Sequence, residues 1–467
     1  MVNRRGFLRG TAATAAFAAL GAAGCGRGGT ADSIVTTRSG RVRGSVTEGV
    51  HAFQGVPYAA PPQGVDRYLP PRPVRPWTGV RDALTLGPTP PQPPTPPPLD
   101  FFAPPIPGAD YLNLNIWTRE PGSARMPVMV WIFGGGFDTG SNGLYDGRTF
   151  ARDGVVFVAG NYRLGAEGFL FLDDGVANVA LLDQIAALEW VRDNISYFGG
   201  DPGNVTIFGQ SAGAMAVGTL LAMPRAKGLF RRAILESGAG NLCYSTDTAH
   251  EIGRRLVAKL GVPPTRDAVT AGAGADVDVL LGHNSEEGRL SLVPFRSLDS
   301  VTEEELATAM RLYRLPVEQA LPGYRAAYPG ANPGALLAIL QADWFYTIPG
   351  LRLADARTNA PAATYMYEFT WRSPQYGGQL GACHFLEVPF VFDQLHDQRL
   401  RWITGPNPPQ QLADLTHRTW IQFASTGRVH WPRYEPTRRT TIRLDVHPMV
   451  VDDPYPNRNL WEGVDLY

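Results

Sequence analysis

The stretch TIFGQSAGAM, Thr206 to Met215, sets Ser211 between glycines two residues away on either side. A serine so placed can serve as the nucleophile of an acyl transfer. In a chain with 52 glycines the bare G-x-S-x-G pattern is a weak signal, so its surroundings must decide. Just before it, NVTIF reads as a short buried strand, and just after it, SAGAMAVGTLLAM reads as a helix starting near Ala212. In so tight a strand-to-helix turn the serine takes strained dihedrals, and side chains at 209 and 213 would strike the neighbouring elements. Gly209 and Gly213, flanking Gln210 and Ala212, remove that clash. The unpaired N–H groups of the first helical turn then face any negative charge that develops beside the serine.

A hydroxyl is a poor nucleophile without a base, and the transient oxyanion needs donors. The run WIFGGGFDTGS, Trp131 to Ser141, follows a strand and leaves backbone N–H groups unshielded at three successive glycines. Gly135 and Gly136, with the N–H of Ala212, are the candidate oxyanion hole. The reading that competes is a flexible turn after a strand, and the neighbouring serine pattern disfavours it.

Such a site requires strands that deliver loops to one edge of a sheet. YLNLNIW alternates apolar and polar residues, PVMVWIF and GVVFVAGNY are buried apolar runs, and VALLDQIAALEWVRDNI carries Leu181, Ile185, Leu188 and Val191 at helical spacing. NVTIF returns as a strand after FGGDPG, which reads as a turn. Strands alternating with helices predict an α/β fold with a mostly parallel sheet flanked by helices on both faces. One stretch is odd: Gly87 to Gly108 holds eleven prolines, which favours an extended surface excursion.

Composition excludes several classes. The 42 basic and 43 acidic side chains leave a net charge of −1 with no long single-sign run, so nothing points to nucleic acid. Zinc spacings such as H-E-x-x-H are absent, and neither a metal nor an organic cofactor is expected. Residues 1–25 read as an address: Arg4 and Arg5 followed by Gly6-Phe7-Leu8 resemble a twin-arginine export signal, and the apolar run from Gly10 to Gly24 is too short to span a bilayer. Ala22, Ala23 and Gly24 before Cys25 resemble a lipobox, without the usual leucine three positions upstream, so Cys25 is the candidate lipid anchor. Contact with a membrane is expected through that anchor alone. Residues 26–32 read as a linker and 33–467 as one domain; Cys243 and Cys383 remain after processing, too few for a disulfide framework.

The chain resembles the type-B carboxylesterases, α/β-hydrolases that include cholinesterases and bacterial p-nitrobenzyl esterases. The matching stretches run in family order from about Ile34 to about Trp461: FQGVPYAAPPQGVDRY, YLNLNIW, WIFGGGF, NYRLGAEGFL, the run around FGQSAGA, ILESG, LLGHNSEEG, CHFLEVPFVF and WIQFASTGRVHWPRY. That resemblance implies a Ser-His-Glu triad. In LLGHNSEEG the acid is Glu287, directly before glycine, rather than Glu286; in CHFLEVPFVF the base is His384, one of eight histidines that spacing alone would not single out. The implied reaction is hydrolysis of a small-molecule carboxylic ester through an acyl-enzyme, with His384 relaying the Ser211 proton and Glu287 fixing its tautomer.

The sequence also departs from its relatives. Phe133 stands before the glycine run where many have histidine, and Tyr111 replaces the cysteine of the family's EDCL element, so a remodelled rim is expected. Only 76 positions separate Ser211 from Glu287, fewer than in relatives, which implies a wider pocket. The alternative reading is a non-catalytic or impaired cholinesterase-like binding protein, against which all three triad residues stand. Phe101, Phe102, Trp344, Phe345 and Trp371 suit either the rim of a gorge or the core.

Overall fold

A computed structural model describes residues 31–94, 105–169, 177–239, 274–295 and 298–464. The signal-like segment with Cys25, residues 95–104 of the proline-rich run with Phe101 and Phe102, and residues 240–273 of the segment between Ser211 and Glu287, with Cys243, lie outside the described residues.

Among the described residues thirteen strands form one sheet. They are β1 (Ala31–Thr36), β2 (Arg41–Thr47), β3 (Val50–Pro57), β4 (Val80–Asp82), β5 (Asn113–Thr118), β6 (Gly122–Ile132), β7 (Val156–Gly160), β8 (Phe198–Gln210), β9 (Arg232–Glu236), β10 (Asp278–Asn284), β11 (Thr364–Phe369), β12 (Thr441–Leu444) and β13 (Met449–Val451). Their spatial order is β1-β2-β3-β5-β7-β6-β8-β9-β10-β11-β12-β13, with β4 on β2. From β7 through β12 every pairing is parallel, whereas the pairings at both ends are antiparallel apart from β4 on β2. The parallel strands are covered on both sides, so they read as unbroken apolar runs: Val128 to Ile132 and Val156 to Ala159 are all buried. Flanking helices supply the cover. They include α1 (Val179–Asn194), α2 (Ala212–Ala222), α3 (Glu303–Leu312), α4 (Val317–Ala327), α5 (Pro333–Ala342), α6 (Ile348–Ala356) and α7 (Gln410–Thr426).

Two local expectations change. Ala31 and Asp32, read as linker, are the first residues of β1, where Asp32 pairs with Ser45. FGGDPG, read as a turn, is the start of β8: Phe198 pairs with Gly122 and Gly200 with Met126 across register shifts, so the strand begins irregularly before its regular part at Val205. YLNLNIW, where apolar and polar residues alternate, is the strand β5 and is buried throughout. Its asparagines are sheltered because they hydrogen-bond inside the fold. Asn113 Nδ2 donates to the carbonyls of Pro88 (2.9 Å) and Asp110 (2.9 Å), and its Oδ1 accepts from Asn142 Nδ2 (3.1 Å) and Asn161 Nδ2 (3.4 Å). This polar knot ties the start of the proline-rich run to the loops beside the glycine run.

One ion pair holds α1 to the loop after β7. Arg163 and Asp183 are both fully buried; Arg163 donates from Nε to Oδ2 (2.8 Å) and from Nη2 to Oδ1 (2.6 Å). Its remaining nitrogen donates to the carbonyls of Arg67 (3.0 Å) and Leu69 (2.7 Å), so every part of the fork is used. Removing one partner strands a buried charge. Arg163→Met should therefore lower unfolding free energy by about 3–5 kcal/mol, and the double change Arg163→Met with Asp183→Leu should recover much of it, as measured by denaturant titration.

Candidate active site

The turn after β8 is built around an absence of side chains. Ser211 has φ +56° and ψ −126°, a conformation that non-glycine residues rarely adopt. A Cβ on Gly209 would lie 2.5 Å from the carbonyl oxygen of Ile132, and one on Gly213 would lie 2.0 Å from that same oxygen. The carboxyl end of β6 thus presses directly on the turn. A Cβ on Gly134 would meet the Gln210 carbonyl at 2.5 Å and the Ser211 Cβ at 2.9 Å, which places the glycine run immediately against the serine.

That run is itself held on both sides. Phe133 is buried and stacks on Tyr162, centroids 4.4 Å apart and planes 18° apart, while the Tyr162 hydroxyl donates to the Phe133 carbonyl at 2.6 Å. Gly135 and Gly136 both have positive φ, and the Gly135 carbonyl accepts from the amides of Asp138 (3.2 Å) and Thr139 (3.0 Å), closing a tight loop. From the proline-rich side, Gln92 grips Gly140 at both backbone groups: its Oε1 accepts from the amide (2.8 Å) and its Nε2 donates to the carbonyl (3.0 Å). Among the described residues the amides of Gly135, Gly136 and Ala212 donate to no protein acceptor, which leaves them available to an oxyanion.

The acidic arm comes from the ends of two other segments. Glu287 lies just beyond β10 and is buried; its Oε2 is 2.6 Å from Nδ1 of His384, and its Oε1 accepts from the Asn284 amide at 2.7 Å. The backbone repeats the contact, with the His384 amide donating to the Glu287 carbonyl at 3.2 Å. An imidazole bonded to a carboxylate through Nδ1 carries its proton there, leaving Nε2 as the basic nitrogen. Glu286 faces elsewhere: it accepts from the Ala382 amide (2.9 Å) and pairs with Arg289 (2.8 Å) and Arg372 (3.2 Å). Neighbouring glutamates therefore have different partners. Ser211, half-buried, hydrogen-bonds through its hydroxyl to none of the described residues; its neighbour Gln210 reaches the imidazole instead, with Nε2 3.0 Å from the His384 Nε2.

Several features here were invisible in the sequence. Behind His384 lies a buried acidic layer of Glu236, Glu287 and Glu387. Glu387 accepts from Asn284 Nδ2 and, at 3.3 Å, from the Ser237 hydroxyl. Burial, and next the charge of Glu287, push its carboxyl up from 4.5 to about 7. Burial and the charge of Glu387 push Glu236 well above the carboxylate range, although Trp420 Nε1 donates to it at 2.8 Å. Of the aromatic candidates, Trp344 stacks on Tyr313 (5.0 Å), Phe345 meets the same ring edge-on (5.9 Å), and Trp371 packs on Phe390 (5.1 Å). The aromatic ring against His384 belongs instead to Tyr346, one residue farther along.

Between about pH 4.5 and 7 the folded protein keeps on Glu387 a proton that the unfolded chain has released, so stability falls as pH rises across that window. Glu387→Gln keeps the neutral form at every pH. Its melting temperature should match wild type near pH 5 and exceed it by roughly 1–3 °C at pH 7.5 in scanning calorimetry; an equal offset at both values would contradict the assignment.

Comparison with known proteins identifies the family. A family model described as the carboxylesterase family matches residues 31–309 and 264–460. The para-nitrobenzyl esterase of Bacillus subtilis is 35% identical, the match covering 90% of this chain and 96% of the relative. The phenmedipham hydrolase of Pseudarthrobacter oxydans is 34% identical, over 84% and 90% respectively. Among solved structures, a carboxylesterase of Geobacillus stearothermophilus superposes with a TM-score of 0.82 at 35% identity, covering 92% of this chain and 99% of that one. The chain belongs to the carboxylesterase family and is an ester hydrolase of the α/β-hydrolase fold.

Proposed function

We propose that Ser211, His384 and Glu287 form the catalytic triad of a serine carboxylesterase that works through a covalent acyl-enzyme. The observation that carries this reading is the 2.6 Å contact between Glu287 and His384, set beside a serine whose positive φ exposes it at a strand-to-helix turn. His384 Nε2 accepts the Ser211 proton as Oγ bonds to the ester carbonyl carbon, and Glu287 stabilises the imidazolium that results. The carbonyl oxygen becomes an oxyanion within reach of the Gly135, Gly136 and Ala212 amides. Collapse of the tetrahedral adduct breaks the ester C–O bond, and the imidazolium protonates the departing alcohol. Water, losing its proton to the same nitrogen, then releases the acid and restores Ser211.

Small esters of carboxylic acids are the substrate class this site suits, in line with the ester substrate in the name of the Bacillus subtilis relative. The N-terminal sequence supports export by a twin-arginine route, with residence outside the cytoplasmic membrane or attachment to its outer face through a lipid on Cys25. No described helix is long and apolar enough to cross a membrane.

Purified mature protein should hydrolyse p-nitrophenyl acetate and butyrate. Ser211→Ala should lower kcat by roughly 10⁴-fold or more, and Glu287→Gln by a smaller factor because the imidazole loses its orienting anion but not its reach. Equal turnover by wild type and Ser211→Ala would refute the triad.

A further inference from the structure

The His384 ring has neighbours beyond its carboxylate. Tyr346 stacks on it, with centroids 4.6 Å apart and 25° between the planes. The side-chain nitrogen of Gln210 lies 3.0 Å from Nε2 and 3.4 Å from Nδ1. A nitrogen that near to both ring nitrogens cannot lie in the ring plane: on the outer side it would overlap the carbon joining them, and on the inner side the ring itself. It therefore sits over a face. A stacked phenol leaves no room at that height, so Gln210 and Tyr346 take opposite faces.

We propose that Gln210 and Tyr346 clamp the imidazole face-on and are positioning residues for the base, an inference that rests on the assignment of His384 above. A single bond from Nδ1 to Glu287 fixes one edge of the ring but leaves it free to tilt about that bond. Plates on both faces remove the tilt and keep the in-plane lone pair of Nε2 free for the Ser211 hydroxyl.

The supporting framework suits the role. Gln210 is the last residue of β8 and is joined to Ser211 by one peptide bond, so the clamp and the nucleophile share one rigid strand end. Gly134 makes room for it: a Cβ there would press on Gln210 Oε1 at 3.2 Å. Tyr346 projects from a single π turn, Asp343–Thr347, between α5 and α6. Such turns are frequent at functional sites, and Pro349 in the next turn disfavours regular helical bonding there. Asp343, at the start of the turn, is anchored by the Tyr324 hydroxyl (2.6 Å) and Asn457 Nδ2 (3.1 Å). The Tyr346 hydroxyl hydrogen-bonds to no described residue, so its ring rather than its phenol holds the position.

The two plates act oppositely on a positive charge. The π face of Tyr346 favours an imidazolium, whereas the amide N–H groups of Gln210 present their positive ends to it. Glu287 at Nδ1 and Glu387 behind it also face the ring, and they are the same in every variant that follows.

Steady-state kinetics on p-nitrophenyl acetate across the acidic limb of the pH profile separate the outcomes. Tyr346→Leu should lower kcat by roughly tenfold with little change in KM and move the midpoint of that limb to lower pH, while Tyr346→Phe, which keeps the ring, restores most of kcat. Gln210→Met should lower kcat by a similar factor and move the midpoint to higher pH; Gln210→Glu, close in shape, should move it the same way. Circular dichroism melts identify any variant whose loss reflects unfolding, and the conservative pair Tyr346→Phe and Gln210→Glu then carries the test. Unchanged kcat and midpoint in both Tyr346→Leu and Gln210→Met, or shifts in the same direction, would overturn the clamp. His384→Ala distinguishes the levels: if it is inactive while the clamp variants behave as wild type, the clamp fails and the triad stands, whereas wild-type activity in His384→Ala overturns both.

Discussion

The structure depends on how closely the carboxyl ends of β6 and β8 approach each other. The Ile132 carbonyl oxygen occupies space that a Cβ at either 209 or 213 would need, and Gly134 similarly abuts the Gln210 carbonyl and the Ser211 Cβ. Parallel pairing from Val128–Val205 to Ile132–Gly209 delivers the two strand ends to the same level, so the glycine run and the serine turn must meet. Overpacking such a contact costs stability and displaces backbone, since interiors have little free volume to absorb it. Glycine at these positions is therefore a condition of the geometry: it lets Ser211 hold its rare dihedrals and brings two sets of free amides to one point.

The candidate acid and base arrive from strands beyond β9, on the side of β8 opposite β6. β10 ends in the turn that carries Glu287, and the segment after β11 carries His384, with β10 and β11 paired in parallel. Buried Glu287 meets the Asn284 amide at one oxygen and the imidazole at the other. The neighbouring Glu387 answers the same crowding differently, by holding its proton into the neutral range. Three buried carboxyl groups in one layer are tolerable because they need not all be charged at once.

The serine turn was legible in the sequence because its requirement is local. A strand, two glycines and a helix within ten residues state the geometry completely. The acid and base were not legible from the residues themselves, since 97 positions separate Glu287 from His384 and only the fold brings them together; their assignment came through resemblance. Tyr346 escaped notice because a π turn shifts the register of the helix, so the ring at 346 faces the site while Trp344 and Phe345 pack on Tyr313. Gln92 lay in a proline-rich run that gave no periodic signal. The strand β5 was legible but its burial was not: alternation reports which side chains are polar, and Asn113 and Asn115 satisfy their polarity internally rather than in water.

The proposal at the centre is that one serine becomes covalently acylated with the help of a base, an acid and oxyanion donors carried by neighbouring strand ends. Labelling the mature protein with a fluorophosphonate, digesting it and locating the adduct by tandem mass spectrometry tests this most directly. The account predicts a single stoichiometric adduct on Ser211, formed in step with loss of esterase activity and absent after His384→Ala. An active protein whose adduct lies on another residue, or that loses no activity while Ser211 is fully modified, would contradict it.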